Sequence, residues 1–271
     1  MTEPRSSFFE HRSGQDRSRA AMAAVVHLYH LDLLEPIKGY LARIPIPCDL
    51  FVSIANPAHL PIVSREFAAM ANRLSVCLLE NRGRDIRPFV QLMAKGELDH
   101  YPSAIKIHTK KSDYSPLGTS WRDILIDALL PSEAGVAQVV QRFQDDPGLG
   151  LAAPFASYIS AERHWGSNRN RVLRFAERMG LAPAQRELFF VAGSMFWFRP
   201  LALSPLVAAL RDEPFEDELG QQDGTLAHAV ERLTCLSAWS AGTRCSATEN
   251  LELVLMPSDT AGNKVALLDG G

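Results

Sequence analysis

Four short stretches of this 271-residue chain concentrate residue types that can hold an anion or move a proton. The first is Asn81-Arg82-Gly83-Arg84-Asp85, two arginines around a glycine that tolerates positive φ or close backbone approach. Such a turn can clamp a phosphate or diphosphate, with Asp85 orienting an arginine or meeting a ribose hydroxyl. It can equally be a charged turn whose aspartate caps the next helix, and the two readings weigh about evenly.

The second stretch is Lys106-Ile107-His108-Thr109-Lys110-Lys111, at the end of the alternating run SAIKIH. Alternation puts Lys106, His108 and Lys110 on one face of a strand. Cationic groups so placed repel one another unless an anion or carboxylate offsets them, and a diphosphate leaving group would do so. A solvated strand end is the plain alternative, but Lys106 lies inside the apolar part.

The third is Phe190-Val191-Ala192-Gly193-Ser194-Met195-Phe196-Trp197-Phe198-Arg199, small residues between large aromatics. It reads as backbone close to a ligand beside an aromatic wall, or as a core strand with a bulge at Gly193. The fourth runs from Glu216 to Thr225 and leads to His228, Glu231 and Arg232. A carboxylate at such a loop–helix junction can deprotonate a hydroxyl, or simply cap the helix. His228 and Glu231, three apart, share a helix face.

The elements that must position these residues alternate. AAVVHLYH, CDLFVSIA, RLSVCLLE, SAIKIH and GLGLAAPF read as strands. Helical spacing falls between them, including about 60–71, 88–95, 119–130 and 133–145. Later helices are expected at SNRNRVLRFAERMG and at about 204–211 and 223–233, and ELFFVAGSMFWFRP reads as a strand-like piece interrupted at Ala192-Gly193-Ser194. Continuous apolar strands alternating with helices predict a mostly parallel sheet covered on both faces. Ligands of such sheets collect at the carboxyl ends of strands, where NRGRD, HTKK and the APF segment all fall. The expected organisation is a polar lead-in over 1–22, a single α/β domain over 23–245 and a weakly patterned tail over 246–271.

Composition narrows the function. The chain is 46% hydrophobic and 22% charged, with a formal net charge of −3. No global field recruits nucleic acid, so anion binding must be local. No apolar run reaches the length of a membrane span, and the first residues lack the apolar core of a secretory signal. Cys48, Cys77, Cys235 and Cys245 lack CxxC spacing, which argues against zinc and for a reducing compartment, the cytoplasm. No P-loop, GxGxxG, GxSxG or HExxH is present. No Asp-x-Asp follows a mid-chain strand, so no metal ligands are assigned and a magnesium or manganese cofactor has no motif to support it.

ENRGRDIRPF, KIHTKKS, WRDILIDALLPS, FVAGSMFWFRP and E-x-G-x-x-DGTLAHAVER, in that order across about residues 23–245, resemble the rhamnan synthesis protein F family. The resemblance implies a GT-A-like α/β fold, with a mostly parallel central sheet flanked by helices on both faces. It also implies a glycosyltransferase of cell-surface polysaccharide, lipopolysaccharide or O-antigen synthesis. The implied donor is a nucleotide sugar, dTDP-L-rhamnose, with galactofuranosyl or other hexosyl transfer as the alternative. The implied acceptor is a glycan or lipid-linked glycan, met in the cytoplasm or at the inner face of the membrane, alone or within a larger complex. A non-catalytic glycan- or nucleotide-binding component of such a complex is the competing reading.

On this footing an inverting transfer assigns Asn81, Arg82, Gly83, Arg84, Asp85, Lys106, His108, Thr109 and Lys110 to the nucleotide diphosphate. Their cations replace wholly or partly a metal. Asp223, or Glu218 in its stead, is the expected base, and His228 supports an acceptor hydroxyl. Gly193, Ser194 and Trp197 are expected to shape the sugar and acceptor pocket.

Overall fold

The protein is seen in a computed structural model that describes residues 7–11, 20–109, 118–160, 164–181, 189–211 and 213–255. Strand and helix alternate from the start: β1 (Ser7–His11), β2 (Met22–His27), α1 (Leu34–Leu41), β3 (Cys48–Ile54), α2 (Leu60–Ala68), β4 (Arg73–Leu78), α3 (Ile86–Ala94) and β5 (Ala104–His108). Two helices follow, α4 (Gly118–Leu129) and α5 (Glu133–Asp145), then β6 (Leu149–Ala153), β7 (Tyr158–Ser160) and α6 (Arg169–Arg178). The last part holds β8 (Phe189–Val191), β9 (Phe196–Phe198), α7 (Pro200–Ala209), α8 (Leu226–Glu231), α9 (Thr234–Ser240), β10 (Arg244–Ala247) and β11 (Asn250–Leu255).

The main sheet has the order β1-β4-β3-β2-β5-β9-β6-β10-β11. β4-β3, β3-β2, β2-β5 and β6-β10 pair in parallel. β9 lies antiparallel between β5 and β6, and β1 and β11 are antiparallel edges. The architecture is therefore a mixed α/β sheet whose strands β2, β3, β4, β5, β6 and β10 all point one way.

Burial on both faces explains the continuous apolar strands. In β2, Met22, Ala24 and Val26 join a core shared with α1, α2, α4 and α5, while Ala23 and Val25 join one shared with α3, α7 and α9. In β5 the same alternation sends Ile105 and Ile107 to the first core. Lys106 and His108 face the other side and are nonetheless buried.

From β2 the chain steps outward through β3 and β4 on one side and through β5 on the other. That reversal opens a crevice at the carboxyl ends of the parallel strands, where open α/β sheets bind ligands.

Three features depart from the sequence expectation. The lead-in contributes β1, which covers the edge of β4. The tail contributes β11, and β10 straddles the expected boundary at 245. ELFFVAGSMFWFRP is two strands in two sheets, because the turn at 192–195 redirects the chain: β8 pairs with β7 in a separate ribbon, whereas β9 enters the main sheet.

Candidate functional site

A cavity of about 460 Å³ opens at this crevice. Its walls come from the end of β2 and the residues after it (His27, Tyr29, His30), from the loop after β4 (Asn81, Arg84, Asp85) and from the end of β5 and the residue after it (His108, Thr109). The turn before β9 adds Gly193 and Ser194, the segment before α8 adds Glu218 and Gly220, and α8 adds His228 and Glu231. Residues from all four sequence stretches thus meet in one place. The APF segment after β6 does not line it.

Lys106 does not line it either. Its ammonium, on a side chain 1% exposed, donates to Asp85 Oδ2 at 2.5 Å and to the carbonyl of Ser194 at 2.7 Å. The rings of Phe89 and Phe196 lie 5.5 and 5.9 Å away. Phe196 of the third stretch and Phe89 of α3 therefore flank a cation beneath the cavity. Burial alone would push the Asp85 carboxyl up, but His108 and then Lys106 outweigh it and hold it well below the usual carboxylate range. The offsetting anion that KIHTKK required is Asp85. An ammonium already committed inside the protein is a scaffold for the site rather than an open phosphate contact.

The same network grips a strained turn. Gly193 has φ +89° and Ser194 φ +51°, the left-handed region that costs a non-glycine residue about 1–2 kcal/mol. His108 Nε2 donates to the Gly193 carbonyl at 2.8 Å, Lys106 holds the Ser194 carbonyl, and Glu231 accepts the Gly193 N–H at 2.6 Å. The strain is thus held from both sides, which presents Ser194 to the cavity.

In the NRGRD turn Gly83 and Arg84 both have positive φ, +67° and +55°. Gly83 is required for packing: a Cβ there would sit 2.5 Å from the Phe215 ring and 2.8 Å from Arg87 Cβ. Its expected phosphate role gives way to that contact, since it does not line the cavity. Arg82 turns away to pair with Asp217. Arg84 stays at the cavity, donating to Glu218 at 3.2 Å and to the Gln221 carbonyl. The two arginines thereby strap the segment around 217–221 across the site. Asn81 donates to the Tyr29 hydroxyl at 3.4 Å. Thr109 Oγ1 accepts the N–H groups of Tyr29 and His30 at 2.8 and 3.0 Å and so shapes the loop after β2.

The expected base changes place. Asp223 lies outside the cavity and accepts from the Ser167 N–H at 2.9 Å, Asn168 Nδ2 at 2.5 Å and Arg232 Nη2 at 3.2 Å. Burial raises its pKa, but the Ser167 N–H and Arg232 more than reverse this and lower it. It holds the turn Gly166–Asn168 that leads into α6, and does not cap α8. Glu218 and Glu231 are the carboxylates of α8 and its preceding loop that reach the cavity.

His228 Nδ1 accepts the Thr225 N–H at 3.3 Å and meets the Thr225 hydroxyl at 2.7 Å, so Nε2 carries the proton. That Nε2–H is buried and has no hydrogen-bond partner among the described residues. Burial first, then Arg84, lowers the His228 pKa to about 4, leaving a neutral donor in the cavity wall. Burial likewise lowers His27 to about 4, and its Nδ1 lies 2.9 Å from the Ser53 hydroxyl.

Trp197 is core, fully buried with Nε1 donating to the Leu129 carbonyl at 2.9 Å. Strand alternation explains it: Trp197 points to the face opposite Phe196 and Phe198. Lys110 lies outside the described residues. His27, Tyr29, His30 and Glu231 were not assigned to the site from sequence. The strand-end rule applied to AAVVHLYH, and the pairing of Glu231 with His228 on one helix face, were the signals for them. Among the described residues no group of three or more His, Cys, Asp or Glu is arranged to hold a metal ion.

The fold and cavity define an α/β protein with a polar site at the switch point of its sheet. A sequence profile of the family described as rhamnan synthesis protein F matches residues 5–243, and the chain belongs to that family. Its relatives include the uncharacterised protein WxcX of Xanthomonas campestris pv. campestris, strains B100 and ATCC 33913. Each is 33% identical over 226 residues, 83% of this chain and 32% of the relative. The chain thus spans about a third of the length of these curated relatives. A solved structure, CMP:2-keto-3-deoxy-manno-octonic acid synthetase complexed with CTP, aligns with 88% of this chain and 93% of its own. At 13% identity and a TM-score of 0.37 that likeness carries no functional weight.

Proposed function

We propose that this chain is a glycosyltransferase unit that moves a sugar from a nucleotide diphosphate donor to a glycan or lipid-linked glycan acceptor. The observation that carries the reading is the Arg84–Glu218 pair across the cavity. It sets a cation suited to a leaving diphosphate directly against a carboxylate suited to deprotonating an acceptor. The donor diphosphate takes Arg84, and Glu218, released from it, accepts the acceptor hydroxyl proton. The acceptor oxygen then bonds to the anomeric carbon as the carbon–phosphate oxygen bond breaks, and the nucleoside diphosphate leaves with the electron pair. The neutral Nε2–H of His228 and the hydroxyl of Ser194 are free to meet sugar or phosphate oxygens. Family membership favours L-rhamnose from dTDP-L-rhamnose with inversion; galactofuranosyl or another hexosyl transfer uses the same groups.

The test is acceptor-dependent transfer by pure protein across a nucleotide-sugar panel, with EDTA and with manganese restored. Activity that survives EDTA supports cationic side chains as the charge on the leaving group; loss and rescue by manganese refutes it. Removing a general base costs about 10²–10⁴-fold, so Glu218→Gln is expected to fall in that range while Asp223→Asn retains most of its rate. The reverse result moves the base to Asp223.

A binding component of a polysaccharide assembly complex is favoured by one observation: Glu218 and Glu231 are both engaged, by Arg84 and by the Gly193 N–H. Thermal stabilisation by oligosaccharide but not by nucleoside diphosphates would select it. Among the described residues no helix is long and apolar enough to cross a membrane. A peripheral place at the inner membrane face, where a lipid-linked acceptor would be met, belongs to the same proposal.

A further inference from the structure

The segment 217–221 borders the cavity through Glu218 and Gly220 and runs between two firm anchors. Before it, Glu216 accepts from Arg171 at 2.7 Å and from the Leu226 N–H at 2.8 Å. After it, Asp223 accepts from the Ser167 N–H, Asn168 and Arg232. Between the anchors, the polar ties to the rest of the fold come from two arginines of one turn. Arg82 pairs with Asp217, side chain to side chain and through a backbone bridge. Arg84 donates to Glu218 and to the Gln221 carbonyl. The bonds from the Leu219 N–H to Gln221 and from Gln221 to the Asp217 carbonyl stay inside the segment.

Leu219 is 81% exposed, so no buried apolar contact at the tip fixes the segment to the body. Its hold on the cavity side is electrostatic. The Arg84 side chain is 39% exposed, and ion pairs on such a guanidinium are weak in water. Glu218, 15% exposed, is the more enclosed partner, and its carboxylate stands where an anionic ligand of the cavity would meet Arg84. A phosphate offers the same fork more charge and two oxygens at once, so it competes well for that guanidinium. The Arg82 side differs. Arg82 does not line the cavity, so a ligand there leaves its pair with Asp217 in place.

We propose that the segment 217–221 is an autoinhibitory latch, in which Glu218 holds the anion site of Arg84 until a diphosphate displaces it and releases residues 218–221. Asp217 and Asp223 remain fixed, and the released stretch turns between them. The latch rests on the reading of Arg84 as the diphosphate contact proposed above, and not on which sugar is moved.

A nitroxide attached to Leu219→Cys reads the segment, since all four native cysteines are buried and leave the new thiol as the reactive one. The titrant is inorganic pyrophosphate, with its binding followed in parallel by calorimetry. Saturating pyrophosphate should shift the nitroxide spectrum towards faster motion. Arg84→Gln should show that motion without pyrophosphate and bind it about tenfold or more weaker. Because Glu218 competes for the same cation, Glu218→Gln should bind pyrophosphate about two- to fivefold tighter. A side chain that merely supported the site would weaken binding instead. Circular dichroism melts establish that both variants fold, and the labelled chain decides without them. Unchanged or slower label motion at saturation, or Glu218→Gln binding no tighter than wild type, overturns the latch while a pyrophosphate site at Arg84 stands. Pyrophosphate that fails to bind, or that binds equally to Arg84→Gln, overturns the latch and the diphosphate reading of Arg84 together. Acceptor-dependent transfer by the unlabelled wild-type chain reports on the reaction separately.

Discussion

The Lys106–Asp85 pair gives the sharpest test of the site, because its two readings differ in sign. If Lys106 met the donor, Lys106→Met would abolish nucleotide binding and leave the fold intact. In the structure the ammonium is 1% exposed and bound to Asp85 at 2.5 Å. Methionine fills a similar volume, so the main effect of Lys106→Met is an uncompensated carboxylate in a buried place. Such losses cost about 3–5 kcal/mol, a large share of the 5–15 kcal/mol typical of a folded protein. A buried carboxylate left without its ammonium takes up a proton more readily, so the loss should shrink as pH falls. Asp85→Asn should also destabilise, because the buried ammonium then has no carboxylate to offset its charge. The double variant leaves two neutral groups and should recover at least about 2 kcal/mol relative to the sum of the singles. Urea unfolding at pH 7 measures all four corners of the cycle, with m-values checked for equality. A Lys106→Met protein within about 1 kcal/mol of wild type, yet blind to nucleoside diphosphates, would refute the reasoning and return the lysine to the phosphate site.

Three further outcomes follow. Asp223→Asn weakens two hydrogen bonds to the turn that leads into α6 and a third to Arg232 beyond α8, and should cost about 1–3 kcal/mol in urea unfolding. Gly83→Ala places a methyl in the Phe215 ring at a φ of +67°, and overpacking with backbone strain together should cost about 2–4 kcal/mol. Phe215→Ala in the same chain should recover the packing part and not the φ part. Stability should also rise with pH between about 4 and 6.5. His27 and His228 are neutral in the folded state down to about 4, whereas the unfolded chain binds their protons from 6.5 downward. Their stabilisation is fully present above 6.5 and lost as pH falls, by about 1–3 kcal/mol each. Urea midpoints at pH 5 and 7, in wild type and His228→Gln, check the sign.

The parts of this molecule legible in its sequence were those set by local periodicity. The continuous apolar runs of β2, β3 and β4 follow from burial on two faces, which any parallel interior strand must satisfy. The alternation of SAIKIH correctly put Lys106 and His108 on one face. Partners were not legible, because they lie far along the chain: Asp85 is 21 residues before Lys106, and Ser194 is 88 after it. Asp223 looked like a base because nothing local showed that Ser167 and Asn168, more than 50 residues earlier, would claim its oxygens. Trp197 was misplaced for a different reason: alternation along a three-residue strand was outweighed by the attraction of an aromatic wall for sugars. β1 and β11 are sheet edges, where one pairing partner suffices and the apolar signal is correspondingly weak.

What the strand end KIHTKK contributes is therefore indirect, and it reaches the ligand through the 193–194 turn. A non-glycine residue at φ +51° stays there only if the surrounding bonds outweigh its strain. At Ser194 those bonds are donated by Lys106 and His108 and, through the Gly193 N–H, received by Glu231. Lys106 needs Asp85 to be charged in the interior, and Asp85 is supplied by the same turn that supplies Arg84. One cation, Lys106, is thus consumed to build the wall, while Arg84 of the NRGRD turn faces the cavity against Glu218. A site built this way couples its two halves. In the proposed transfer, displacing Arg84 from Glu218 by a phosphate would free the carboxylate as the donor arrives, so acceptor deprotonation should follow donor binding. Product-inhibition patterns that show the acceptor binding first to free protein would sink this order; a donor-first pattern, with Arg84→Lys impaired in donor binding more than in acceptor binding, is the outcome the geometry requires.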